Sequence, residues 1–273
     1  GSFIGSTQAG GEGSWSSRAR EQVKSSPEFQ RMRRQRQSLP AAAARERFLG
    51  LARKSQVVLV SGETGCGKTT QVPQFLLEEW EEGMGTGDFR VVVTQPRRIA
   101  AVGVATRVAE ERCEGLGDRV GYRIRGESRT GPGTRLLFCT TGVLLRRMQG
   151  DPRLEEVTHL VVDEVHERHL EADFLLALLK GILPNRRSLK VILMSATLDT
   201  ARFAAYFSGL SGPPPGGQTP VLHIPGRTFP VRELFLEDAL RLTGHRPRLK
   251  RGKQQSPAAG GASVREGAVV SVG

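Results

Sequence analysis

A glycine-rich loop directly after a short apolar run is the feature that most constrains how this sequence folds. Residues Gly62–Thr69 read GETGCGKT, which matches the spacing GxxxxGK[ST]. The loop follows Val57–Val60, a β-branched run typical of a buried strand, and precedes a helical pattern. A strand–loop–helix unit of this kind surrounds a phosphate with backbone N–H groups at the positive end of a helix. Because this context is present, a nucleotide phosphate site is the stronger interpretation and a chance glycine-rich turn the weaker one.

The loop also predicts individual contacts. Lys68 is expected to reach the β- and γ-phosphates, and the Thr69 hydroxyl is expected to ligate Mg²⁺. The expected nucleotide-contacting set is Gly62, Glu63, Thr64, Gly65, Cys66, Gly67, Lys68, Thr69 and Thr70.

Further short apolar runs alternate with helical patterns. The runs are Val91–Val93, Leu136–Phe138, Leu160–Val162 and Val191–Met194. Continuous apolar runs of this length indicate strands buried on both faces, as in parallel sheets. Apolar rows at Ile99, Val102, Ala105 and Val108, and at Leu170, Phe174, Leu175, Leu178 and Leu179, indicate helices between them. The fold class predicted is α/β, a wound and mostly parallel sheet with helices on both faces.

The predicted organisation has four parts. Residues 1–26 form a Gly/Ser-rich disordered arm, and residues 27–40 form a basic helix that we call the pre-motor helix. Residues 41–240 form the α/β domain. The domain begins with a helix over Ala41–Lys54 that buries Phe48 and Leu51. It ends with a strand pair around Val221–Ile224 and Pro230–Phe235. Residues 241–273 form a basic, then Gly/Ala/Ser-rich, disordered tail.

The net charge of +12 is concentrated in the arms. Residues 1–40 contribute +4 and residues 241–273 contribute +6, so the middle of the chain is nearly neutral. Basic arms attract polyanions such as RNA through phosphate contacts that do not depend on sequence. A solvated, disordered tail is the alternative interpretation of each arm.

Three widely spaced cysteines fit neither a disulfide framework nor a zinc site. No apolar run approaches the roughly 18 residues of a membrane span, and no secretory signal is seen. We therefore expect no membrane partner and a reduced intracellular location, in the cytoplasm or the nucleus.

Two carboxylates close the apolar run Leu160–Val162. Asp163 and Glu164 open the segment DEVH, about a hundred residues after the glycine-rich loop. The expected Mg²⁺ site consists of Thr69, Asp163 and Glu164, and Glu164 is also placed to polarise an attacking water. The alternative is a charged strand-to-helix turn with acids near a helix N-terminus.

These segments together resemble one family. The segments are GETGCGKTT at Gly62–Thr70, TQPRR at Thr94–Arg98, TTG at Thr140–Gly142, DEVHER at Asp163–Arg168 and SAT at Ser195–Thr197. They are similar, in order and spacing, to motifs I, Ia, Ib, II and III of the DEAH-box/RNA-helicase-A family of superfamily 2 RNA helicases. The resemblance covers about residues 41–240 and implies a RecA-like P-loop NTPase domain.

The resemblance implies roles for four further residues in nucleotide use. His166 would connect the γ-phosphate side of the site to Ser195 and Thr197, which couple hydrolysis to the grip on nucleic acid. Arg107 would stack on the base. Such stacking barely distinguishes bases, so ATP and other nucleoside triphosphates are the expected ligands. The alternative for Arg107 is an exposed helix arginine that pairs with Glu110 or Glu111.

On the RNA side, the resemblance implies that Arg97, Arg98 and Thr141 contact the sugar–phosphate backbone. Arg125, on a neighbouring hairpin, is a weaker candidate. The partner would be RNA, single-stranded or structured, held without reading its sequence. An ordinary solvated loop is the alternative.

The family pattern also predicts a partner domain. Helicases of this family carry a second RecA-like domain with a QRxGRxGR-like segment, and no such segment occurs in these 273 residues. We therefore expect a fragment of a motor, the ATP-binding half of an ATP-dependent RNA helicase with weak activity alone. A non-catalytic, nucleotide-dependent nucleic-acid-binding module is the main alternative. An unrelated kinase or GTPase is disfavoured because no NKxD-like segment is present and TQPRR would be unexplained.

Overall fold

The architecture comes from a computed structural model that describes residues 22–83, 88–196, 200–210, 217–226 and 232–245. Thr197, most of both arms and Pro230 lie outside these described residues. The chain divides into two compact units, residues 1–227 and 228–273. This division falls before residue 240, where the sequence predicts the α/β domain to end, so that boundary stays a prediction.

One eight-stranded sheet organises the first unit. Its strands are β1 (Val57–Gly62), β2 (Val91–Gln95), β3 (Val120–Ile124), β4 (Glu127–Arg129), β5 (Leu136–Thr140), β6 (His159–Val162), β7 (Lys190–Ser195) and β8 (Val221–Ile224). The spatial order is β4-β3-β5-β2-β6-β7-β1-β8, and all neighbours pair in parallel except the antiparallel hairpin β3–β4. The predicted α/β sheet is confirmed.

Helices cover both faces of the sheet. In chain order, the helices of this unit are α1 (Pro27–Gln37), α2 (Pro40–Ala43), α3 (Arg45–Lys54), α4 (Lys68–Glu81), α5 (Arg98–Glu111), α6 (Thr141–Met148), α7 (Leu170–Ile182) and α8 (Ala201–Tyr206). Helix α1 buries no residue of its own and lies outside these two layers. Short 3₁₀ turns occupy Val165–Glu167 and Leu183–Asn185.

Successive strand residues point to opposite faces, so each strand supplies both cores. On one face, Val58, Val60 and Val91 pack with residues of α3, α4 and α5. On the other face, Val57, Leu59 and Val92 pack with residues of α6 and α7. The apolar runs are continuous rather than alternating because the strands are buried on both sides.

The five predicted strands are present, each longer by one or two residues than its apolar run. The pre-motor helix is present as α1, which Ser26 caps by accepting a hydrogen bond from the Phe29 N–H. The helix predicted over Ala41–Lys54 is interrupted at Ala44, which separates α2 from α3. Phe48 is buried as predicted, whereas Leu51 is only partly buried.

Three apolar residues do not face the core as their helical rows suggest. Ile99, Leu170 and Phe174 are largely exposed. Each lies in the first or second turn of a helix that starts beyond the end of a strand. Ala101 and Ala172, in the first turns of the same two helices, are buried, so the small residue faces the core there and the larger apolar side chain faces outward.

Val221–Ile224 forms β8, as predicted. The second strand predicted at Pro230–Phe235 is wrong for its described part, because residues 232–235 form no strand and lead into helix α9 (Leu236–Thr243) in the second unit. Asp238 explains the start of this helix, since its carboxylate accepts a hydrogen bond from the Phe235 N–H. Within the described ranges, no helix is both long and apolar enough to cross a bilayer.

Candidate nucleotide and nucleic-acid site

The predicted site residues gather at one edge of the sheet. The glycine-rich loop follows β1, Gln95 ends β2, Thr140 ends β5, Asp163 follows β6 and Ser195 ends β7. These five strands are contiguous and parallel, so their carboxyl ends share an edge. Ligands of open α/β sheets bind at this edge.

The glycine-rich loop has the backbone that a phosphate cradle requires. Gly65 and Gly67 adopt φ values of +83° and +94°, a region that L-residues with a side chain rarely enter. Gly67 caps α4, so the first N–H groups of that helix point out of its amino end. Lys68 is the first residue of α4 and is buried. Glu63, Thr64 and Gly65 form the exposed outer turn.

Asp163 is brought against the end of this loop. The Thr69 side chain lies close enough to the Asp163 carboxylate to favour its charged form. Gln95 Nε2 donates to Asp163 Oδ2 at 2.7 Å, and the Glu164 N–H donates to Oδ1 at 2.9 Å. Asp163 is only 3% exposed. Burial and the neighbouring Glu164 carboxylate raise its pKa to about 6, and the two hydrogen bonds and the nearby Thr69 side chain oppose that rise.

Glu164 is held in an unusual backbone conformation, with φ of +55°. Its Oε2 is buried and accepts no hydrogen bond from any residue that the structure describes. His166 Nδ1 lies 3.3 Å away, but this contact is not a hydrogen bond, because the Nδ1 lone pair is used elsewhere. A buried acceptor without a partner costs about 1–3 kcal/mol, which is typical of a group kept ready for a ligand or a water.

His166 Nδ1 accepts a 3.2 Å hydrogen bond from the Ala196 N–H. Nδ1 can accept only if the imidazole carries its proton on Nε2. The Asp163–His166 segment is thus tied to the end of β7 through the backbone of the residue after Ser195. Ser195 is buried at the end of β7, and Thr197 lies outside the described residues.

The donor set fits a magnesium ion bound together with a phosphate. Thr69 and Asp163 supply a hydroxyl and a carboxylate that lie close together, and Glu164 follows Asp163 in the chain. Among the described residues, no group of three or more His, Cys, Asp or Glu side chains forms an all-protein cage. Mg²⁺ is usually held by one or two carboxylates plus phosphates and waters, so the set present is sufficient.

Arg107 forms an ion pair within its own helix. Its Nε lies 2.9 Å from Glu111 Oε1, as in the alternative interpretation drawn from the sequence. The side chain is still 47% exposed, so the pair leaves a large part of the guanidinium accessible. The structure places Arg107 on α5, beside the helix that follows the phosphate loop.

The predicted RNA contacts form a neighbouring group. Arg97 is 71% exposed and pairs with Glu167 at 3.1 Å. Arg98 Nη2 donates to the Arg125 carbonyl oxygen at 3.1 Å, which brings these two exposed arginines together. Thr141 differs, since it is only 5% exposed as the first residue of α6.

A family model for the DEAD/DEAH box helicase matches residues 33–204. The match covers more than half of the chain and includes the phosphate loop, Asp163–His166 and the Arg97–Arg98 segment. The chain belongs to the DEAD/DEAH box helicase family.

Individual relatives agree with this DEAD/DEAH box assignment. The chain is 51% identical over 220 residues to DExH-box ATP-dependent RNA helicase DExH1 of Arabidopsis thaliana, covering 81% of this chain and 21% of that protein. It is 54% identical over 218 residues to putative ATP-dependent RNA helicase DHX57 of Homo sapiens, covering 80% and 15%. It is 48% identical over 228 residues to ATP-dependent RNA helicase DHX29 of Mus musculus, covering 81% and 16%. The chain therefore spans about a fifth or less of these relatives.

Sequence reasoning missed three groups in this helicase domain. Gln95, inside TQPRR, fixes Asp163, and its position at a strand's carboxyl end was an available signal. The Ala196 N–H, rather than a side chain, holds His166. Glu111 accepts hydrogen bonds from Gln71 and Gln74, and this contact has no local sequence signal because the partners are far apart in the chain.

Proposed function

We propose that this chain is the ATP-binding half of an RNA helicase motor, in which hydrolysis of Mg·ATP drives movement along RNA. The observation that carries the proposal is the buried Asp163 beside the phosphate loop, next to a buried Glu164 oxygen that has no hydrogen-bond partner among the described residues. This arrangement joins a phosphate cradle, a cation site and a base for water within one edge of the sheet.

In this proposal the phosphate loop and Lys68 hold the β- and γ-phosphates, and Arg107 lies against the base. Thr69 and Asp163 hold Mg²⁺, which neutralises charge on the phosphates when it is bound. Glu164 Oε2 accepts a hydrogen bond from a water, orients that water and takes its proton as the oxygen attacks the γ-phosphorus. ADP leaves as the bond from the γ-phosphorus to the bridging oxygen breaks.

RNA is proposed to lie along Arg97, Arg98 and Arg125, with Thr141 at the amino end of α6. Contacts of this kind hold the phosphate backbone and leave the bases unread. His166 and Ala196, with Ser195 and Thr197, are proposed to relay the state of the γ-phosphate to this surface. A second RecA-like domain is proposed as the partner that completes the motor. The resemblance to helicases with two such domains and the greater length of the relatives support this.

The test compares Lys68→Ala and Glu164→Gln with the parent chain. A fluorescent ATP analogue should bind Lys68→Ala at least about tenfold more weakly, because the buried cation at the phosphates is removed. Glu164→Gln should bind the analogue but hydrolyse ATP much more slowly in single-turnover experiments. Lys54→Ala removes an exposed lysine and is the matched control. Equal binding by Lys68→Ala and the parent would exclude this assignment of the phosphate loop.

A further inference from the structure

A buried carboxylate at the end of α5 joins three parts of the molecule. Glu111 is 3% exposed. Its Oε2 accepts hydrogen bonds from Gln71 Nε2 and Gln74 Nε2, both at 2.8 Å, and its Oε1 accepts from Arg107 Nε at 2.9 Å. A buried charge is costly unless it is paired and hydrogen-bonded, and these three donors satisfy it.

Two of the donors belong to the helix of the phosphate loop. Gln71 lies one turn after Lys68, and its N–H donates to the Gly67 carbonyl oxygen at 2.8 Å. The same amide group that reaches Glu111 also donates to Thr70 Oγ1 at 2.9 Å. The Glu111 carboxylate is therefore fixed relative to the loop that is proposed to hold the phosphates.

The third part is the pre-motor helix. Arg36 donates from Nε to Gln71 Oε1 at 2.8 Å, and its Nη2 donates to Glu78 Oε1 at 2.6 Å. Its Nε also lies 3.8 Å from Glu111 Oε2. Just beyond the helix, the Ala41 N–H donates to the Cys66 carbonyl oxygen at 3.0 Å. The pre-motor helix thus contacts α4 at Gln71 and Glu78, and the residue that opens the α/β domain, Ala41, contacts the phosphate loop.

Arg107 is the exposed end of this network. Its guanidinium would rotate freely if it had no partner, and ordering it on a ligand would cost entropy. The bond from Nε to Glu111 restricts the side chain while about half of it stays accessible. A planar cation held in one orientation is suited to stack on a base.

We propose that Glu111 is a positioning residue for nucleotide binding, which orients Arg107 towards the base and links it to the phosphate loop and to Arg36 of the pre-motor helix. This inference rests on the proposed function, and specifically on the contact of Arg107 with the base. The inference adds that the affinity gained from the contact of Arg107 with the base depends on Glu111, which is not proposed to contact the nucleotide itself.

The test separates base binding from phosphate binding with two probes, Mg·ATP and Mg·triphosphate, the latter being inorganic. Glu111→Gln keeps the size and one acceptor oxygen, so it can still satisfy Gln71 and Gln74 while turning its NH₂ group towards Arg107. It should weaken Mg·ATP binding by about three- to tenfold and leave Mg·triphosphate binding unchanged. Glu110→Gln changes the exposed neighbouring carboxylate and is the control.

A double-mutant cycle with Arg107→Ala shows whether Glu111 acts through Arg107. If it does, Arg107→Ala alone should weaken Mg·ATP, and adding Glu111→Gln should cause little further loss. Additive losses, or equal losses for ATP and triphosphate, would show a merely structural role and overturn the inference. Thermal unfolding of each variant identifies any that fail to fold, and binding of Mg·triphosphate confirms that the phosphate loop is intact.

The outcomes also distinguish this inference from the proposed function. If Lys68→Ala binds neither Mg·ATP nor Mg·triphosphate while Glu111→Gln binds both as the parent does, the phosphate-loop assignment holds. The proposed role of Glu111 is then wrong. An Arg107→Ala variant that binds ATP normally rejects the base contact and the inference with it. Arg36→Ala should weaken Mg·ATP in the same direction as Glu111→Gln but by less, whereas Arg47→Ala, an exposed arginine of α3, should not. If Arg36→Ala binds Mg·ATP as tightly as the parent, the pre-motor helix does not contribute to the positioning of Arg107.

Discussion

The side-chain amide of Gln95 donates a 2.7 Å hydrogen bond to Asp163 Oδ2, and both residues are buried. Gln95 ends β2 and Asp163 directly follows β6, the parallel neighbour of β2, so the pairing of these strands brings the two residues together. Gln95 lies two residues before Arg97. The segment proposed to contact RNA is therefore in direct contact, through one side chain, with the carboxylate proposed to hold Mg²⁺.

We expect Gln95→Ala to destabilise the protein, because it leaves a buried carboxylate oxygen without a donor. The loss should be about 1–3 kcal/mol in the free energy of unfolding, measured by urea denaturation. Gln149→Ala, at an exposed position after α6, is the control and should change stability little. An equally small effect of Gln95→Ala would show that water replaces the amide and that the contact is dispensable.

His166 allows a test of the connection between the two halves of the site. The Oδ1 of an asparagine can occupy the place of the imidazole Nδ1, so His166→Asn should keep the acceptor for the Ala196 N–H, whereas His166→Ala removes it. We expect both variants to bind ATP. Only His166→Ala should lose most of the change in RNA affinity that a non-hydrolysable ATP analogue causes in filter binding. Identical behaviour of the two variants would show that the hydrogen bond to Ala196 does not carry the connection.

From the lowered pKa of His159 we expect the free energy of unfolding to depend on pH. His159 stacks at an angle on Phe89, and burial, followed by the nearby Lys190 charge, lowers its pKa to about 4. The unfolded chain binds a proton at this histidine below about pH 6.5, while the folded protein does not until about pH 4. Stability that is present above pH 6.5 is therefore lost as the pH falls towards 4, by up to about 3 kcal/mol.

Urea unfolding at pH 7, 6, 5 and 4 tests this sign. His159→Gln cannot take up the proton, so the parent should lose stability relative to this variant as the pH falls. His245→Gln, at an exposed histidine, should follow the parent. A constant difference between parent and His159→Gln across this range would contradict the assigned pKa.

The sequence predicts the fold well where local pattern and tertiary structure agree. The β-branched runs became strands because each is buried on both faces of one sheet, and the glycine-rich loop determined where the first helix of the site begins. Helical rows did not distinguish core from surface at Ile99 and Leu170, because the smaller Ala101 and Ala172, two residues further on, face the core in these turns. The contacts of Glu111 with Gln71 and of Gln95 with Asp163 join residues distant in the chain, so they required the structure.

The basic residues before the domain lie mostly on a helix that also contacts α4, and this limits how their contribution to RNA binding can be tested. All of the net charge of residues 1–40 lies in residues 22–40, and most of these form the pre-motor helix. Deleting residues 1–40 would remove Arg36, which contacts Gln71 and Glu78 on α4, and the residues directly before Ala41, whose N–H contacts the phosphate loop. A change in nucleotide binding could then not be separated from a change in RNA binding. Arg31, Arg33 and Arg34 are exposed on this helix and can be changed without touching that contact.

We therefore expect the triple variant Arg31→Ala, Arg33→Ala, Arg34→Ala to weaken RNA binding mainly at low salt. Each lost phosphate contact reduces the slope of log K against log[salt] by about 0.7 for a single strand, so three contacts amount to about 2. The change in RNA affinity caused by a non-hydrolysable ATP analogue should persist, because Arg97 and Arg98 are unchanged. The matched control replaces three other exposed arginines, Arg47, Arg187 and Arg202, with alanine. If the two triple variants show the same salt slope, the helix contributes only general positive charge and does not bind RNA.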